Sequence, residues 1–284
     1  MSITRRGLLG ATTAGALALT AGTARAEEPA KAREVTVRVA TYNIHAGANA
    51  EHVFDIEPQA EALAATGAEI IGLQEVDHFW AARSNWIDEV QVLADALGMR
   101  SFFGPILDED PPEPGRPRRQ FGCAILSQHP MVLKQDHQIL RYADGRYAYG
   151  HPQVRINVRG AEVDVFNTHL DYRGDPAIRI GQIDDILRIS EEVGGQQLLL
   201  GDLNAKPEQP EMAPLFDAFS DGWLVAGSGD GFTFPAQAPD RRIDYVLTRG
   251  GPRVVNAEIP ETLASDHRPL VADVVLRRGR HGQV

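Results

Sequence analysis

Apolar and polar positions follow two different periods along the chain, and segments of the two kinds alternate from residue 35 onward. Val35–Tyr42 is rich in β-branched residues and has a period-two component, which is typical of a strand. Glu69–Gln74 is a short apolar run, as expected of a buried strand. Further strands are predicted at Gly122–Leu126, Val154–Val158, Val163–Asn167, Gln197–Leu200, Ile243–Leu247 and Leu270–Leu276.

Three segments have the apolar spacing of helices. Gln59–Thr66 and Trp86–Leu97 are each followed by a glycine, which favours a helix end. The longest predicted helix is Pro176–Val193, because proline suits the first turn and two glycines follow. Asp108–Arg119 is proline-rich and predicts a surface loop. The alternation of strands and helices, without repeats or linkers, predicts one α/β or α+β domain over residues 35–276.

The first 26 residues have a different character and predict an export signal. Arg5 and Arg6 precede a short uncharged stretch, and Ala24-Arg25-Ala26 ends it with a small-x-small pattern. The paired arginines resemble a twin-arginine signal, so we expect an exported protein, extracellular or periplasmic. The apolar stretch is too short to span about 30 Å of hydrocarbon, so no stable membrane anchor is expected. Residues 27–34 then form a linker and residues 277–284 a tail.

The net charge of the chain restricts the kinds of substrate that it can bind. The 284 residues contain 28 Lys and Arg against 39 Asp and Glu, a net charge of −11. Residues 1–26 hold three arginines and no acid, so the remainder has 25 basic against 39 acidic residues, a net charge of −14. Such a body has no general attraction for nucleic acid or anionic membranes. A phosphate-bearing substrate must therefore meet local positive charge, from a metal ion or a few arginines. The single Cys123 excludes an internal disulfide.

Several of the predicted strands end in polar side chains. Because catalytic groups concentrate in loops held on a rigid sheet, these strand ends indicate a site. They supply two histidines, His169 and His267, and six candidate oxygen ligands or orienting groups: Asn43, Glu75, Asp202, Asn204, Asp244 and Asp266. Glu75 is the most unusual, since a carboxylate in an apolar run must be paired or bind a metal. Carboxylate and amide oxygens favour Mg²⁺ or Mn²⁺, whereas the ligand set of a zinc cage is absent from the sequence.

In chain order, these residues lie in six short blocks that resemble the endonuclease/exonuclease/phosphatase superfamily. The blocks are Thr41-Tyr42-Asn43, Leu73-Gln74-Glu75-Val76, Asn167-Thr168-His169-Leu170, Gly201-Asp202-Leu203-Asn204, Arg242-Ile243-Asp244-Tyr245 and Ser265-Asp266-His267-Arg268-Pro269. The resemblance extends from about Val35 to Leu276. It implies a four-layer α/β (α+β) sandwich, with two packed mixed β-sheets flanked by helices and the site at one end of the sheets.

The resemblance also implies a role for each residue. Glu75 matches the principal Mg²⁺ ligand, and Asn43 and Asp266 match positions that complete or support the metal site. Asp202 and Asn204 match the pair that positions the attacking water and the phosphate. His169 matches a histidine that contacts the phosphate, and His267 one that is paired with an aspartate, here Asp244, at the reacting phosphorus.

Some roles remain open at the level of sequence. His267 is suited either to acid/base catalysis or, when protonated, to holding the phosphate, and either Asp202 or a histidine accepts the proton of the water. Relatives orient the first histidine with a Glu or Tyr near the middle of the chain, for which Tyr147 and Tyr149 are the candidates here. Arg83 and Arg119 are further candidates for contacts with the substrate phosphate. The other histidines, His45 and His52 among them, are expected to be structural or on the surface.

The sequence thus predicts a secreted, Mg²⁺- or Mn²⁺-dependent hydrolase of phosphate esters that works as a monomer without an obligate protein partner. A small or lipid-derived phosphodiester or phosphomonoester is the first choice of substrate, and nucleic acid, cut by a secreted nuclease, is the alternative. A non-catalytic binding module on the same fold would predict loss of Glu75, Asp202 or His267, and all three are present. A Ser-His-Asp hydrolase would need a Gly-x-Ser-x-Gly motif, which the chain lacks.

Overall fold

A computed structural model describes residues 1–2, 33–141 and 148–280. Twelve strands lie in these residues, numbered along the chain: β1 Glu34–Asn43, β2 Ile70–His78, β3 Arg100–Glu109, β4 Arg119–Ser127, β5 Met131–Arg141, β6 Ala148–Val158, β7 Ala161–His169, β8 Gln197–Asp202, β9 Ser220–Asp221, β10 Asp244–Arg249, β11 Arg253–Glu258 and β12 Leu270–Arg277. Five α-helices accompany them: α1 Ile56–Thr66, α2 Glu89–Leu97, α3 Ala177–Val193, α4 Ala213–Ala218 and α5 Gly222–Ala226.

The strands form two six-stranded sheets. The first has the order β11-β12-β1-β2-β4-β3 and the second β5-β6-β7-β8-β10-β9. Each sheet is mixed, because β1 is parallel to β2 and β7 is parallel to β8, whereas their other neighbours are antiparallel. Two packed mixed sheets with flanking helices confirm the predicted α/β sandwich.

Alternating side chains divide the apolar residues among three layers of core. Val37 and Val39 of β1 point between the two sheets, whereas Ala40 and Tyr42 of the same strand lie in the core under α1 and α2. A third apolar layer packs the second sheet against α3 and α4. The period of two over Val35–Val39 therefore reflects burial of one face, whereas the end of β1, from Val39 to Asn43, is buried on both faces.

The predicted elements are present with shifted ends. The helix predicted over Trp86–Leu97 begins at Glu89, because Asp88 caps it by accepting from the backbone N–H of Gln91, and Trp86 has a left-handed backbone (φ 57°). Pro176 precedes α3 as its N-cap. Residues 110–118 connect β3 to β4, so the ends of the predicted loop belong to strands.

The strands that sequence patterning missed lie at sheet edges. β3 and β11 are the two edges of the first sheet, and β5 and β9 are the edges of the second. An edge strand packs fewer apolar side chains, so its apolar pattern is weak.

The predicted export signal lies almost entirely outside the described residues, as does most of the predicted linker. No helix in the described part of the chain has the length and apolar character needed to cross a membrane.

Candidate active site

Strand register brings three of the predicted residues side by side at one end of the second sheet. Asp202, at the end of β8, is opposite His169 in the parallel pair with β7 and opposite Asp244 in the antiparallel pair with β10. Neighbouring strands are about 4.8 Å apart, so side chains in register on one face are in reach of one another. The Nε2 atom of His169 is 3.6 Å from Oδ2 of Asp202.

A β-bulge in the first sheet presents Glu75. The register of β2 against β4 shifts between Leu73 and Val76, and Glu75 has a left-handed backbone with φ 55°. A bulge redirects a side chain that regular pleating would place elsewhere. The bulge lies where the apolar run at the start of β2 ends and polar residues begin, at Gln74 and Glu75.

Asn43 connects the two sheets. Its Nδ2 donates to Oε1 of Glu75 and to Oδ2 of Asp202, both at 3.1 Å, and its Oδ1 accepts from the backbone N–H of His45 at 3.0 Å. Through its Nδ2, Asn43 orients two carboxylates in this structure. Its Oδ1 has a second lone pair, so both predicted roles, to complete or to support a metal site, stay open to it.

A buried hydrogen-bond network fixes the separation of the sheets below these residues. Oδ1 of Asn167 accepts from Nε2 of Gln74 at 2.6 Å, and its Nδ2 donates to the carbonyls of Leu73 and Ala124, both at 2.8 Å. Gly72 allows this approach, since a Cβ atom there would lie 2.9 Å from Oδ1 of Asn167. The two halves of the site are therefore held in register by Asn167.

His267 and Asp244 form a buried pair. Nδ1 of His267 is 2.9 Å from Oδ2 of Asp244, which also accepts from Oγ1 of Thr233 at 2.5 Å. The ring of Phe234 packs on the imidazole with centroids 4.6 Å apart. The other imidazole nitrogen, Nε2, lies 3.7 Å from Oδ2 of Asp202 and is the atom directed to the site.

Asn204 takes a left-handed backbone conformation (φ 49°) just after Asp202. Its backbone N–H donates to Oδ1 of Asp202 at 2.9 Å, and its side-chain Nδ2 donates to the carbonyl of Leu170 at 3.0 Å. Asn204 thereby fixes the Asp202 carboxylate. Of the two tyrosines considered as partners of His169, Tyr147 and the side chain of Tyr149 lie outside the described residues.

Asp266 lies at the rim of the site, next to His45, for which the sequence predicted no role in the site. Its Oδ1 is 3.6 Å from Nδ1 of His45 and 3.4 Å from Oγ of Ser265, which donates to the carbonyl of Asn43 at 2.7 Å. His45, which was expected to be structural or on the surface, lies two residues after the end of β1 with its side chain partly buried. Thr233 and Ser265 were also missed, since an isolated hydroxyl residue carries no motif.

Opposing charges set the ionisation of the site. Burial would raise the pKa of Glu75, but the charge of His169, the hydrogen bond from Asn43 and the charges of His267 and His45 lower it. Burial and the neighbouring Asp244 carboxylate raise the pKa of Asp202. Burial alone would lower the pKa of His267, yet the charge and hydrogen bond of Asp244 raise it to about 10. His267 is therefore an imidazolium at neutral pH.

Both predicted arginines are engaged by carboxylates. Arg83 binds Asp77 in a bidentate manner, with Nε and Nη2 distances of 3.0 and 2.7 Å. The hydrogen bond to Asp77 raises the pKa of Arg83, and the charges of Asp77 and Glu75 add to the shift. Arg119 pairs with Glu109 and lies 5.1 Å from the ring centroid of Trp80. Among the described residues, no hydrogen bond joins Arg119 to the site.

We call Asn43, Glu75, His169, Asp202, Asp244 and His267 the polar cluster. Its donor set fits a divalent cation, because three carboxylates converge and Oδ1 of Asp244 is buried without a hydrogen-bond partner among the described residues. The ligand atoms of Asp202, Asp244 and His267 lie within 4.8 Å of one another. Glu75 lies outside this group and is connected to it through Asn43, whose Nδ2 donates to both Glu75 and Asp202.

The two packed sheets and the polar cluster at their common end define the phosphoester hydrolase and nuclease class. Residues 40–267 match the Endonuclease/Exonuclease/phosphatase family, and the chain belongs to this family. Its members are phosphoester hydrolases, often metal-dependent. No curated protein sequence matches the chain.

Solved structures from several organisms share the fold. An endonuclease/exonuclease/phosphatase from Beutenbergia cavernae DSM 12333 is 26% identical with a TM-score of 0.73, covering 88% of this chain and 73% of that one. A mannosyl-6-phosphatase from Bacteroides thetaiotaomicron VPI-5482 is 17% identical with a TM-score of 0.65, covering 84% and 99%. Truncated TDP2 from Caenorhabditis elegans is 20% identical with a TM-score of 0.58, covering 84% and 97%.

Proposed function

We propose that this protein is an exported, Mg²⁺- or Mn²⁺-dependent phosphoesterase that hydrolyses its substrate by in-line attack of water. The observation that carries the proposal is the convergence of the polar cluster: Asn43 bridges Glu75 and Asp202, and both His169 and His267 direct Nε2 towards the same Oδ2 atom of Asp202. Hydrolysis of a phosphate ester needs acid/base groups and positive charge close together. The polar cluster supplies carboxylates, imidazoles and a position for a cation at one point.

The hydrogen bonds of each residue indicate its role in the reaction. Asp202, whose raised pKa favours proton uptake, accepts the proton of the attacking water, and Asn204 holds its carboxylate in place. His267 is protonated and held by Asp244, so its Nε2–H donates to a phosphoryl oxygen or to the leaving group. His169 supports the phosphate from the neighbouring strand.

A divalent cation held by Glu75, with Asp266 and the support of Asn43, would neutralise the charge that grows on the phosphoryl oxygens. The acidic body of the protein makes this local positive charge necessary. The two arginines predicted to bind phosphate, Arg83 and Arg119, already neutralise Asp77 and Glu109, so they add little net positive charge.

For the substrate, we propose a small or lipid-derived phosphate ester, cleaved as a diester or a monoester. The net charge of −14 outside residues 1–26 disfavours binding along an extended nucleic acid, since each contacted phosphate needs a cationic partner. The similarity in fold to a mannosyl-6-phosphatase is compatible with a small substrate. A secreted nuclease is the second candidate, because the family to which the chain belongs includes endonucleases and exonucleases.

A substrate panel tests the proposal. Plasmid DNA, RNA, bis-p-nitrophenyl phosphate, a phosphomonoester, sphingomyelin and an inositol phosphate are offered to the protein with Mg²⁺ or Mn²⁺. His267→Ala is the inactive control. The matched control is His129→Ala, because His129 is bonded to Glu69 near the start of β2, at the opposite end of that strand from Glu75. Turnover that resists EDTA would contradict metal dependence, and plasmid nicking as the main activity would favour the nuclease.

The export proposal depends on the sequence of residues 1–26 and has its own test. Arg5→Lys with Arg6→Lys should retain the precursor in the cytoplasm if the twin-arginine route is used, whereas the unchanged chain should be processed near Ala26. The measurement is cell fractionation with mass spectrometry of the mature N-terminus. Processing that is unaffected by the double substitution would contradict the twin-arginine route.

A further inference from the structure

A cavity of about 210 Å³ is lined by the loop after β8 and by the segment that leads into β10. Its wall contains one aromatic ring and several charged side chains, among them Lys206, Glu208, Asp230, Phe232, Asp240 and Arg241. We call this cavity the side pocket. Pockets that hold drug-sized ligands have volumes of about 300–1,000 Å³, so the side pocket suits one smaller chemical group.

The side pocket adjoins the polar cluster. Phe232 lines the pocket, and the next residue, Thr233, donates to Oδ2 of Asp244 at 2.5 Å. Lys206, which also lines the pocket, follows Asn204 by two residues. Two residues of extended chain span at most ~7 Å, so a small substrate with its phosphate at the polar cluster is long enough to reach the pocket.

Arg241 connects the pocket to the imidazole of His267. Its Cζ atom lies 4.9 Å from the ring centroid of Phe234, and that ring packs on His267 with centroids 4.6 Å apart. The Nε atom of Arg241 donates to Asp240 at 2.8 Å, whereas Nη1 and Nη2 form no hydrogen bond within the part of the chain that the structure describes. These N–H groups are available to a ligand.

The unpaired charges of the side pocket are of both signs. Arg241 is paired with Asp240, and Arg242, the remaining basic residue of the wall, is paired with Asp221 at 2.7 Å. Three other charged side chains of the wall form no ion pair with any described residue: Lys206, Glu208 and Asp230. The pocket therefore offers cationic donors on Lys206 and Arg241 together with two carboxylate acceptors.

This mixture suits hydroxyl groups. A hydroxyl both donates and accepts hydrogen bonds, so it can bond to a carboxylate and to a cationic donor at once. A second phosphate would be repelled by Glu208 and Asp230, and an ammonium group would be repelled by Lys206 and Arg241. Phe232 is 36% exposed and adds an apolar surface for the C–H groups of a small ring.

We propose that the side pocket binds an uncharged, polyhydroxylated part of the substrate, a sugar or a sugar-like polyol, whose phosphate lies at the polar cluster. This inference rests on the phosphoesterase function proposed above and specifies its substrate class. Lys206 and Arg241 donate to the hydroxyl oxygens, and Glu208 and Asp230 accept from the hydroxyl groups.

Four phosphate esters that differ in the group attached to the phosphate test the proposal: ethyl phosphate, a hexose 6-phosphate, a hexose 1,6-bisphosphate and phosphocholine. Each is offered to the protein with Mg²⁺ or Mn²⁺, as the monoester and as the methyl diester, and kcat/KM is measured. We expect kcat/KM for the hexose 6-phosphate to exceed the other three values at least ~10-fold, because only this ester fills the pocket with hydroxyls and no further charge.

Two variants of exposed residues test the pocket itself. Lys206→Met removes a donor and Asp230→Asn removes a negative charge. Each should lower kcat/KM for the hexose 6-phosphate about 10-fold and leave that for ethyl phosphate within about 2-fold, since ethyl phosphate has no hydroxyl to bond. Asp230→Asn should also reduce the discrimination against the bisphosphate. Lys134→Met is the matched control, because Lys134 donates to the carbonyl of Ser101 near the start of β3.

Several outcomes would overturn the assignment of the pocket while metal-dependent hydrolysis stands. These are equal kcat/KM values for the hexose 6-phosphate and ethyl phosphate, faster turnover of the bisphosphate or of phosphocholine, and turnover of nucleic acid alone. An equal loss on hexose 6-phosphate and ethyl phosphate in Lys206→Met would also overturn it, since the lysine would then act on the phosphate. If neither these esters nor the substrate panel is hydrolysed with either metal, both proposals are wrong.

Discussion

The imidazole of His267 donates from Nδ1 to Oδ2 of Asp244 across 2.9 Å, although the two residues are 23 positions apart in the chain. Asp244 begins β10 and His267 lies in the loop before β12, so the pair joins elements from different sheets. The bond leaves Nε2 of His267 free to face Asp202 and determines which nitrogen carries the proton towards substrate.

Asp244→Asn should abolish this arrangement while keeping the side-chain shape. The neutral amide no longer holds His267 as an imidazolium, so we expect kcat on the best substrate of the panel to fall by about 10²–10⁴ with little change in KM. Steady-state kinetics measures both constants. Asp240→Asn, which alters an exposed residue bonded to Arg241, is the matched control. Equal activity of the two variants would show that the pair has no part in the reaction.

Thr233 fixes the same carboxylate from the other side. Thr233→Val removes the 2.5 Å hydrogen bond to Oδ2 of Asp244 but keeps the volume of the side chain, whereas Thr233→Ser keeps the hydroxyl. A lost bond to a charged, buried acceptor costs about 1.5–3 kcal/mol, so kcat should fall about 10–100-fold in the valine variant if that cost appears in the transition state. The serine variant should retain most of the activity. A similar loss in both variants would point to packing instead of the hydrogen bond.

Sequence reasoning located Asn43, Glu75, His169 and Asp202 because each follows an apolar run, and the ends of adjacent strands in register meet. Asp244 lies at the start of β10 and His267 precedes β12, and both were located by the resemblance of their blocks to the family. In the structure, Asp202 is in register with both His169 and Asp244. The sequence did not reveal the bulge at Glu75, since one extra residue in a strand leaves the apolar run unchanged. It also gave no indication that His45 lies beside Asp266, 221 positions away in the chain.

Most strands of the fold were predictable from their apolar residues, and the strands that the sequence missed share a physical property. Strands in the middle of a sheet, such as β1 and β8, are buried over most of their length, and their continuous or alternating apolar residues stand out in the sequence. Edge strands such as β3 are partly exposed and mix polar with apolar residues, so only their pairing partners define them.

Asn167 should matter for stability as well as for the spacing of the sheets. Asn167→Ala removes three buried hydrogen bonds and leaves the carbonyls of Leu73 and Ala124 without that donor, so we expect a loss of about 2–4 kcal/mol in the free energy of unfolding. Urea denaturation measures it. Asn256→Ala, at an exposed position, should change the free energy by no more than about 0.5 kcal/mol. A value for Asn167→Ala as small as that of the control would mean that other contacts set the spacing.

Glu89 gives the protein a stability that depends on pH. Burial and the charge of Asp77 raise its pKa to about 9, so the folded protein holds a proton there that the unfolded chain has lost above its ordinary pKa of 4.5. The stabilisation is complete below pH 4.5 and decreases as the pH rises towards about 9, by up to about 1.4 kcal/mol per pH unit. Glu89→Gln removes this titration while one amide oxygen still accepts from the N–H of Asp77, a 2.7 Å bond in the present protein. The free energy of unfolding of Glu89→Gln should therefore fall less steeply between pH 5 and 9 than that of the unchanged protein. Urea titration at several pH values measures both curves. Parallel curves would show that Glu89 is ionised in the folded state.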